Sequence, residues 1–331
     1  MLTSSTGPDC HQNDGWFDAW FAAFAPHAAR EPGQPPMIEH MVRAGPLPLR
    51  ARASATNVHS ILYDWPAEIP LDAAGIAAHF ADPRIAMLRF EYLDEGARLL
   101  AAARALSGHY ALRIEPHAIS PSVDCRAGFS TWFDARSKKL RYRLRTDRRS
   151  LIDGDGMHFT FDNGSAELDH RLNAMLAIER SGWKGRAGSA IADDPATDLF
   201  YRRLAHNAAR AGALRIALLH RGEQLVAFEM GVVAARRLFL LKVGYDEAFA
   251  AHAPGNVLAA EHIRATCEDP AIDWYDKMGN GMTPAAYKLR FADTLAVRYR
   301  LTIYANGWRG RVARLHDSAR AEAKRRLKRK P

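Results

Sequence analysis

Residues 213–246 restrict the fold more than any other stretch. ALRIALLHR (213–221), EQLVAFEMGVVA (223–234) and RLFLLKVGYD (237–246) are three apolar, β-branched and aromatic runs, each too short for an independent helix. The breaks between them hold only one or two residues, so consecutive strands must reverse and pair as an antiparallel meander. HAPGNVLAAEHI (252–263) follows, a Pro-Gly pair at the mouth of a helix-periodic segment. A strand, a tight turn and an open helix end suit a bound phosphate, and they equally suit a plain corner.

Around this meander the pattern alternates. Helix 195–212 precedes it, with Asp198 in its first turn and Gly212 to stop it. Helix 256–268, strand 271–278, helix 283–291 and strand 295–305 follow. Upstream, strand 85–93, helix 95–108 and strand 109–119 form a weaker version of the same sequence. Phe133, Leu140, Leu144 and Leu151 then draw one apolar helix stripe. Strand 157–164 and helix 165–186 come next. A short aromatic helix over 16–24 and strand-like segments over 37–65 complete the first half. Two α+β halves of similar make-up point to an internal duplication, with expected boundaries at 1–165, 166–307 and a tail at 308–331.

The chain of 331 residues is long enough for two domains, and 48% hydrophobic with 25% charged residues is ordinary for a globular protein. No run approaches the roughly 20 apolar residues of a transmembrane helix. MLTSSTGPDCHQNDGWF lacks the basic and apolar regions of a signal peptide, so a cytoplasmic protein is expected. Cys10, Cys125 and Cys267 are far apart and form no CxxC pair, which fits a reducing compartment. The histidines show no HExxH or HxxxH spacing, so no metal site is expected.

The net charge of +9 is concentrated. Residues 309–330 carry ten Lys/Arg against Asp317 and Glu322, leaving the rest of the chain nearly neutral. This tail reads as a solvated helix, or as a contact for RNA or for an anionic membrane surface on the inner face. Residues 136–149 hold eight Lys/Arg against one Asp, either a solvated helix face or a surface for an anionic partner.

The order of elements resembles the GCN5-related N-acetyltransferase (GNAT) fold. Four segments sharpen the likeness: SGWKGRAGSAI (181–191), DLFYRRLA (198–205), LKVGYDEAFAAHAPGNVLAAEHI (241–263) and YDKMGNGMTPAAYKLRFAD (275–293). They resemble the acetyltransferase family associated with cellulose biosynthesis, relatives of the Fem-type aminoacyl transferases. The likeness covers about 130–305 by motif and the N-terminal third by architecture alone. The family's Gly-Asp-Glu-Pro-Tyr-Lys segment lacks its acidic pair here and reads Gly281-Met282-Thr283-Pro284-Ala285-Ala286-Tyr287-Lys288. Its compact glycine-rich loop is replaced by Ala253-Pro254-Gly255-Asn256. The resemblance implies an α+β fold of two tandem GNAT-like halves, each a mixed, mostly antiparallel sheet flanked by helices.

It also implies acyl transfer from acyl-CoA or acetyl-CoA to an amine or hydroxyl acceptor, small molecule or saccharide. Such chemistry needs a slot for the carrier, a donor to the thioester carbonyl, a base for the acceptor and a proton for the thiolate. The backbone of Lys242, Val243 and Gly244 is the expected pantetheine edge. Pro254, Gly255 and Asn256 would cradle the pyrophosphate at a helix N-terminus. Lys288 and Arg290 would hold phosphate or carboxylate, unless they are a solvated face. Trp183, Lys184 and Arg186 would contact substrate, unless Trp183 only anchors its loop. For proton chemistry the candidates are Asp276 and Glu229 as base and Tyr287 or Tyr245 as acid; Glu229 equally suits a solvent-facing position on its strand. The alternatives are a Fem-like transferase using aminoacyl-tRNA, and a catalytically silent fold that binds an anionic surface or nucleic acid through its tail.

Overall fold

The structure, a computed structural model, describes residues 14–28, 33–164, 167–181 and 193–328. Among these, the chain forms two compact units that interleave in sequence. One takes 33–118 and 297–328; the other takes 14–27 and the described residues of 119–296.

The first unit opens with the hairpin β1 (Met37–Ala44) and β2 (Leu47–Ser54), turned at Gly45 with φ +64°. Helix α2 (Ala73–Ala78) follows, its first turn capped by Asp72, which accepts from the Gly75 N–H. Strand β3 (Ile85–Leu93) then lies parallel to β2, as a crossover connection allows. After α3 (Arg98–Leu106) comes β4 (Ala111–Asp124), whose first half belongs to this unit. The remaining strand is the last of the chain, β10 (Thr294–Tyr304), antiparallel to β3. Arg298 of β10 is fully buried, and its guanidinium bonds Asp94 at 3.0 Å and the Ile61 carbonyl at 2.9 Å. The basic tail is helix α10 (Trp308–Lys328). It is anchored through its acid: Asp317 accepts from Arg89 and from the Tyr304 hydroxyl, both at 2.9 Å.

The second unit repeats the plan. Strands β6 (Leu214–Arg221), β7 (Gln224–Ala234) and β8 (Arg237–Tyr245) form the expected meander, with β5 (Met157–Asp162) on the outer edge of β6. A 3₁₀ turn (Glu247–His252) and helix α8 (Pro254–Glu268) cross over to β9 (Trp274–Asp276), parallel to β8. Antiparallel to β9 runs the second half of β4, pairing Ser122 with Asp276. Both units therefore show hairpin, helix, parallel strand, and each takes its next strand from the other half of the chain. The compact units therefore do not part at residue 165: the second half of β4 and the helices after it, α4 (Gly128–Asp134) and α5 (Lys138–Arg149), belong to the second unit.

Lys242 and Val243 are consecutive on β8 and point to opposite faces. Lys242 reaches α6 (Leu168–Ser181) and α7 (Pro195–Arg210), meeting Glu179 at 3.5 Å and the Tyr201 ring at 4.6 Å. Val243 packs with the core beneath α8. Both faces of β7 are covered, and its residues Val226–Val232 are buried without alternation. Helix α1 (Asp14–Phe24) adds an aromatic cluster against α7, with Trp16 edge-on to Phe200.

Some elements differ from the sequence pattern. The stripe from Phe133 to Leu151 is broken into α4, α5 and a π turn (Ser150–Gly154), because Ser137 caps a new helix by accepting from the Leu140 N–H. Helix α8 begins at Pro254, earlier than 256, since proline fits the first helical position. The expected helix 283–291 shrinks to α9 (Ala286–Leu289), and strand 271–278 to three residues.

Candidate active site

Pairing between β8 and β9 is confined to Arg237↔Trp274, Leu238↔Tyr275 and Phe239↔Asp276. Past Phe239 the two diverge, and an open cavity of about 390 Å³ lies at the far end of β8. Val243, Gly244 and Tyr245 of β8 form one wall, and Ala253, Gly255 and Asn256 at the start of α8 form another. Tyr287 and Arg290 of the α9 segment face them, and Ile178, Glu179, Glu247 and Ala250 complete the lining.

Local sequence explains each wall. Gly244 is required because a Cβ there would stand 2.5 Å from the Phe228 ring. Gly255 has its would-be Cβ 3.3 Å from the Tyr245 ring, so a side chain at 255 would crowd the cavity. Ala253 sets the turn into α8 with φ +46°, a left-handed conformation uncommon for a residue with a Cβ, and no side chain caps that helix start. The helix end thus presents its dipole to the cavity with no acidic residue in its first turn.

The predicted residues separate into groups. Val243, Gly244, Tyr245, Gly255, Asn256, Tyr287 and Arg290 converge on the cavity. Pro254 is buried behind it at the helix start. Lys242 itself does not line the cavity, and its ammonium pairs at 3.5 Å with Glu179, which does. Lys288 likewise spends its charge inside the fold, donating to the Met278 carbonyl at 2.5 Å. Trp183, Lys184 and Arg186 lie outside the described residues.

Asp276 is fully buried and does not line the cavity. Its carboxylate accepts from the Ser120 hydroxyl at 2.5 Å, the Met278 N–H at 2.8 Å and Arg237 at 3.3 Å. Three donors fix it as a structural anion that joins β4, β8 and β9, which corrects its expected placement beside the cleft.

Glu229 is also buried, so a solvent-facing position is excluded. It accepts from the Tyr275 hydroxyl at 2.5 Å and meets His262 Nδ1 at 3.0 Å, with the Lys277 ammonium at 3.9 Å. Burial alone would push this carboxyl up. The Lys277 charge, with the His262 and Tyr275 hydrogen bonds, outweighs burial and holds it below the usual range. Lys277 is lowered by burial, partly offset by Glu229. Tyr275 is raised well above its ordinary value by burial and the neighbouring carboxylate. Sequence reading missed Lys277, Tyr275 and His262. The signal available was two polar residues flanking Asp276 in a segment that otherwise packs.

Within the cavity, burial and the charge of Glu229 raise the Tyr287 phenol, so it keeps its proton well above neutral pH. Among the described residues no group of three or more His, Cys, Asp or Glu is placed to hold a metal, and no helix is long and apolar enough to cross a membrane.

Residues 138–289 match the acetyltransferase (GNAT) domain family. That stretch includes the meander, α8, β9, α9 and the whole cavity except Arg290. No curated protein matches the chain in sequence. Among solved structures, a protein of unknown function from Bacteroides thetaiotaomicron VPI-5482 shares 13% identity over 91% of this chain and 94% of its own, with a TM-score of 0.54. FemX aligns at 7% identity over 84% of this chain and 87% of its own, with a TM-score of 0.51. At these identities the likeness is one of fold. The family match takes in somewhat less than half of the chain, and the strands are mixed, mostly antiparallel and flanked by helices.

Proposed function

We propose that this protein is an acyl-CoA-dependent acyltransferase whose carrier lies in the cavity between β8, α8 and α9. The observation that carries the reading is the convergence of a strand end, an open helix N-terminus and Arg290 on one space of about 390 Å³. The pyrophosphate would meet the first turn of α8, where the helix dipole supplies about half a positive charge and Arg290 adds a full one. The pantetheine arm would follow Val243 and Gly244 toward the point where β8 and β9 separate.

The reaction is an attack by an acceptor amine or hydroxyl on the thioester carbon. The C–S bond breaks, the acceptor loses its proton, and the departing thiolate takes one up. Tyr287, protonated at neutral pH, is the group on the cavity wall suited to give that proton. Tyr245 is the second phenol there. Glu179 and Glu247 are the cavity carboxylates that would accept the proton from the acceptor. Asp276 is held by three donors, and we assign it to the scaffold.

A thermal-shift panel of acyl-CoAs tests the reading. The expected result is a rise in Tm with at least one acyl-CoA, lost in Gly255→Asp, which adds bulk and negative charge at the helix end. No shift with any acyl-CoA refutes it. An aminoacyl-tRNA donor, the alternative, would give transfer from charged tRNA and no response to acyl-CoA.

A further inference from the structure

Against another face of α8 lies a second cleft of the same unit. It is bounded by α4, α5 and α8 and encloses about 340 Å³, near the lower end of the roughly 300–1,000 Å³ of small-molecule sites. Its lining shares no residue with the cavity described above. The floor is apolar, with Phe129 and Phe133 stacked at 5.7 Å and 25°, over the buried Leu144.

Three arginines rim this floor. Arg264 lies over the Phe129 ring at 3.9 Å, and Arg145 lies over Phe133 at 5.1 Å. Arg148 pairs with Glu261 at 3.0 Å, and Arg264 reaches the same carboxylate at 3.4 Å. The other acid of the cleft, Asp134, is taken by Arg141 at 3.3 Å. Two arginines thus share one carboxylate, and Arg145 has no carboxylate within ion-pair distance among the described residues. Lys138, Tyr142 and Arg149 lie on the same face of α5 as Arg145, at spacings of seven, three and four residues from it. All three are exposed, and neither cation has an ion-pair partner among the described residues.

An apolar, aromatic floor selects a ligand with a flat unsaturated body, because guanidinium and phenyl planes both stack on such a body. The surplus of guanidinium selects an oxyanion on that same ligand, since arginine binds phosphate through paired N–H donors. We propose that the cleft between α4, α5 and α8 binds a nucleoside phosphate, its base against the arginine–phenylalanine stacks and its phosphate on Arg145 and Arg148. This site stands independently of the acyl-CoA reading.

The test titrates the full chain with a fluorescent N-methylanthraniloyl ADP. Binding is expected to be saturable and displaced by unlabelled ADP or AMP, and not by the same concentration of inorganic phosphate. Arg145→Glu, at an exposed position, should weaken it about tenfold or more, and Phe133→Leu should weaken it with the salt dependence kept. Arg290→Glu, which acts on the pyrophosphate seat of the other cavity, should leave the Arg145-sensitive part of the binding in place. No binding by the wild type overturns the proposal. So does unchanged affinity in a folded Arg145→Glu protein, or loss on Arg290→Glu instead, which would move the nucleotide to the α8 N-terminus. A chain that binds tRNA and ignores the labelled ADP overturns it as well.

Discussion

Replacing Glu229 by Gln should be among the most destabilising single substitutions in the second unit. The carboxylate and the Lys277 ammonium are both almost fully buried and 3.9 Å apart. At an effective dielectric of about 20 that separation corresponds to an attraction of about 4 kcal/mol. Glutamine keeps the shape and an acceptor for Tyr275, and it leaves Lys277 as an uncompensated buried charge. Breaking such a pair from one side costs about 3–5 kcal/mol. The loss is capped near 5 kcal/mol at pH 7, because Lys277 escapes it by releasing its proton, from an ordinary pKa of about 10.4. Lys277→Met should cost less, since Glu229 retains its Tyr275 and His262 bonds. The double substitution should then cost less than the sum of the singles, with a coupling of at least about 2 kcal/mol. Urea unfolding followed by circular dichroism at pH 7 measures all four corners of the cycle. Singles below about 1 kcal/mol that add without coupling would refute the claim that Glu229 and Lys277 stabilise the fold as a buried ion pair.

Other expectations follow from the same reasoning. His79, packed edge-on to Trp65, has its pKa lowered to about 4 by burial and by Arg52. Its folded pKa is depressed, so its contribution is complete above about pH 6.5 and is lost as pH falls toward 4; the shift corresponds to about 3 kcal/mol. Urea unfolding of the wild type and His79→Phe across that window should show a smaller acid loss in the variant, the remainder coming from His40, His117 and His220, which burial also lowers. Tyr287→Phe should lower kcat by about 10²–10⁴-fold with KM little changed, if a thioester is turned over; steady-state kinetics with the acyl-CoA that shifts Tm checks it. Gly279→Ala would place a Cβ 1.7 Å from the Ile119 carbonyl oxygen, and the Tm should fall by the equivalent of an overpacked core, about 1–3 kcal/mol or more.

Local patterns were readable where local forces decide. The meander of β6, β7 and β8 follows from apolar runs and short turns, and α8 from its Pro-Gly start. The break before α5 was hidden because the apolar stripe runs through it, while one serine cap at 137 ends the continuity. The pairing of β4 with β9 and of β10 with β3 is long-range in sequence, and no local signal encodes it. Glu229 shows the same limit. Its run QLVAFEMG suits a strand with either face outward, and only cover from α6 on one side and α8 on the other buries it. Its partners come from positions 262, 275 and 277, so their meeting belongs to the tertiary fold. For the cleft, glycines and the helix start were legible, whereas the turning of Lys242 and Lys288 into the protein was not.

The central claim is that the cavity at the start of α8 seats the acyl carrier. Calorimetric titration of the full chain with acetyl-CoA, in the wild type and in Arg290→Glu, tests it most directly. The account predicts one equivalent bound by the wild type and an affinity lower by about tenfold or more in the variant. Equal affinity in both proteins, or no binding by the wild type to acetyl-CoA and to every longer acyl-CoA, would contradict it.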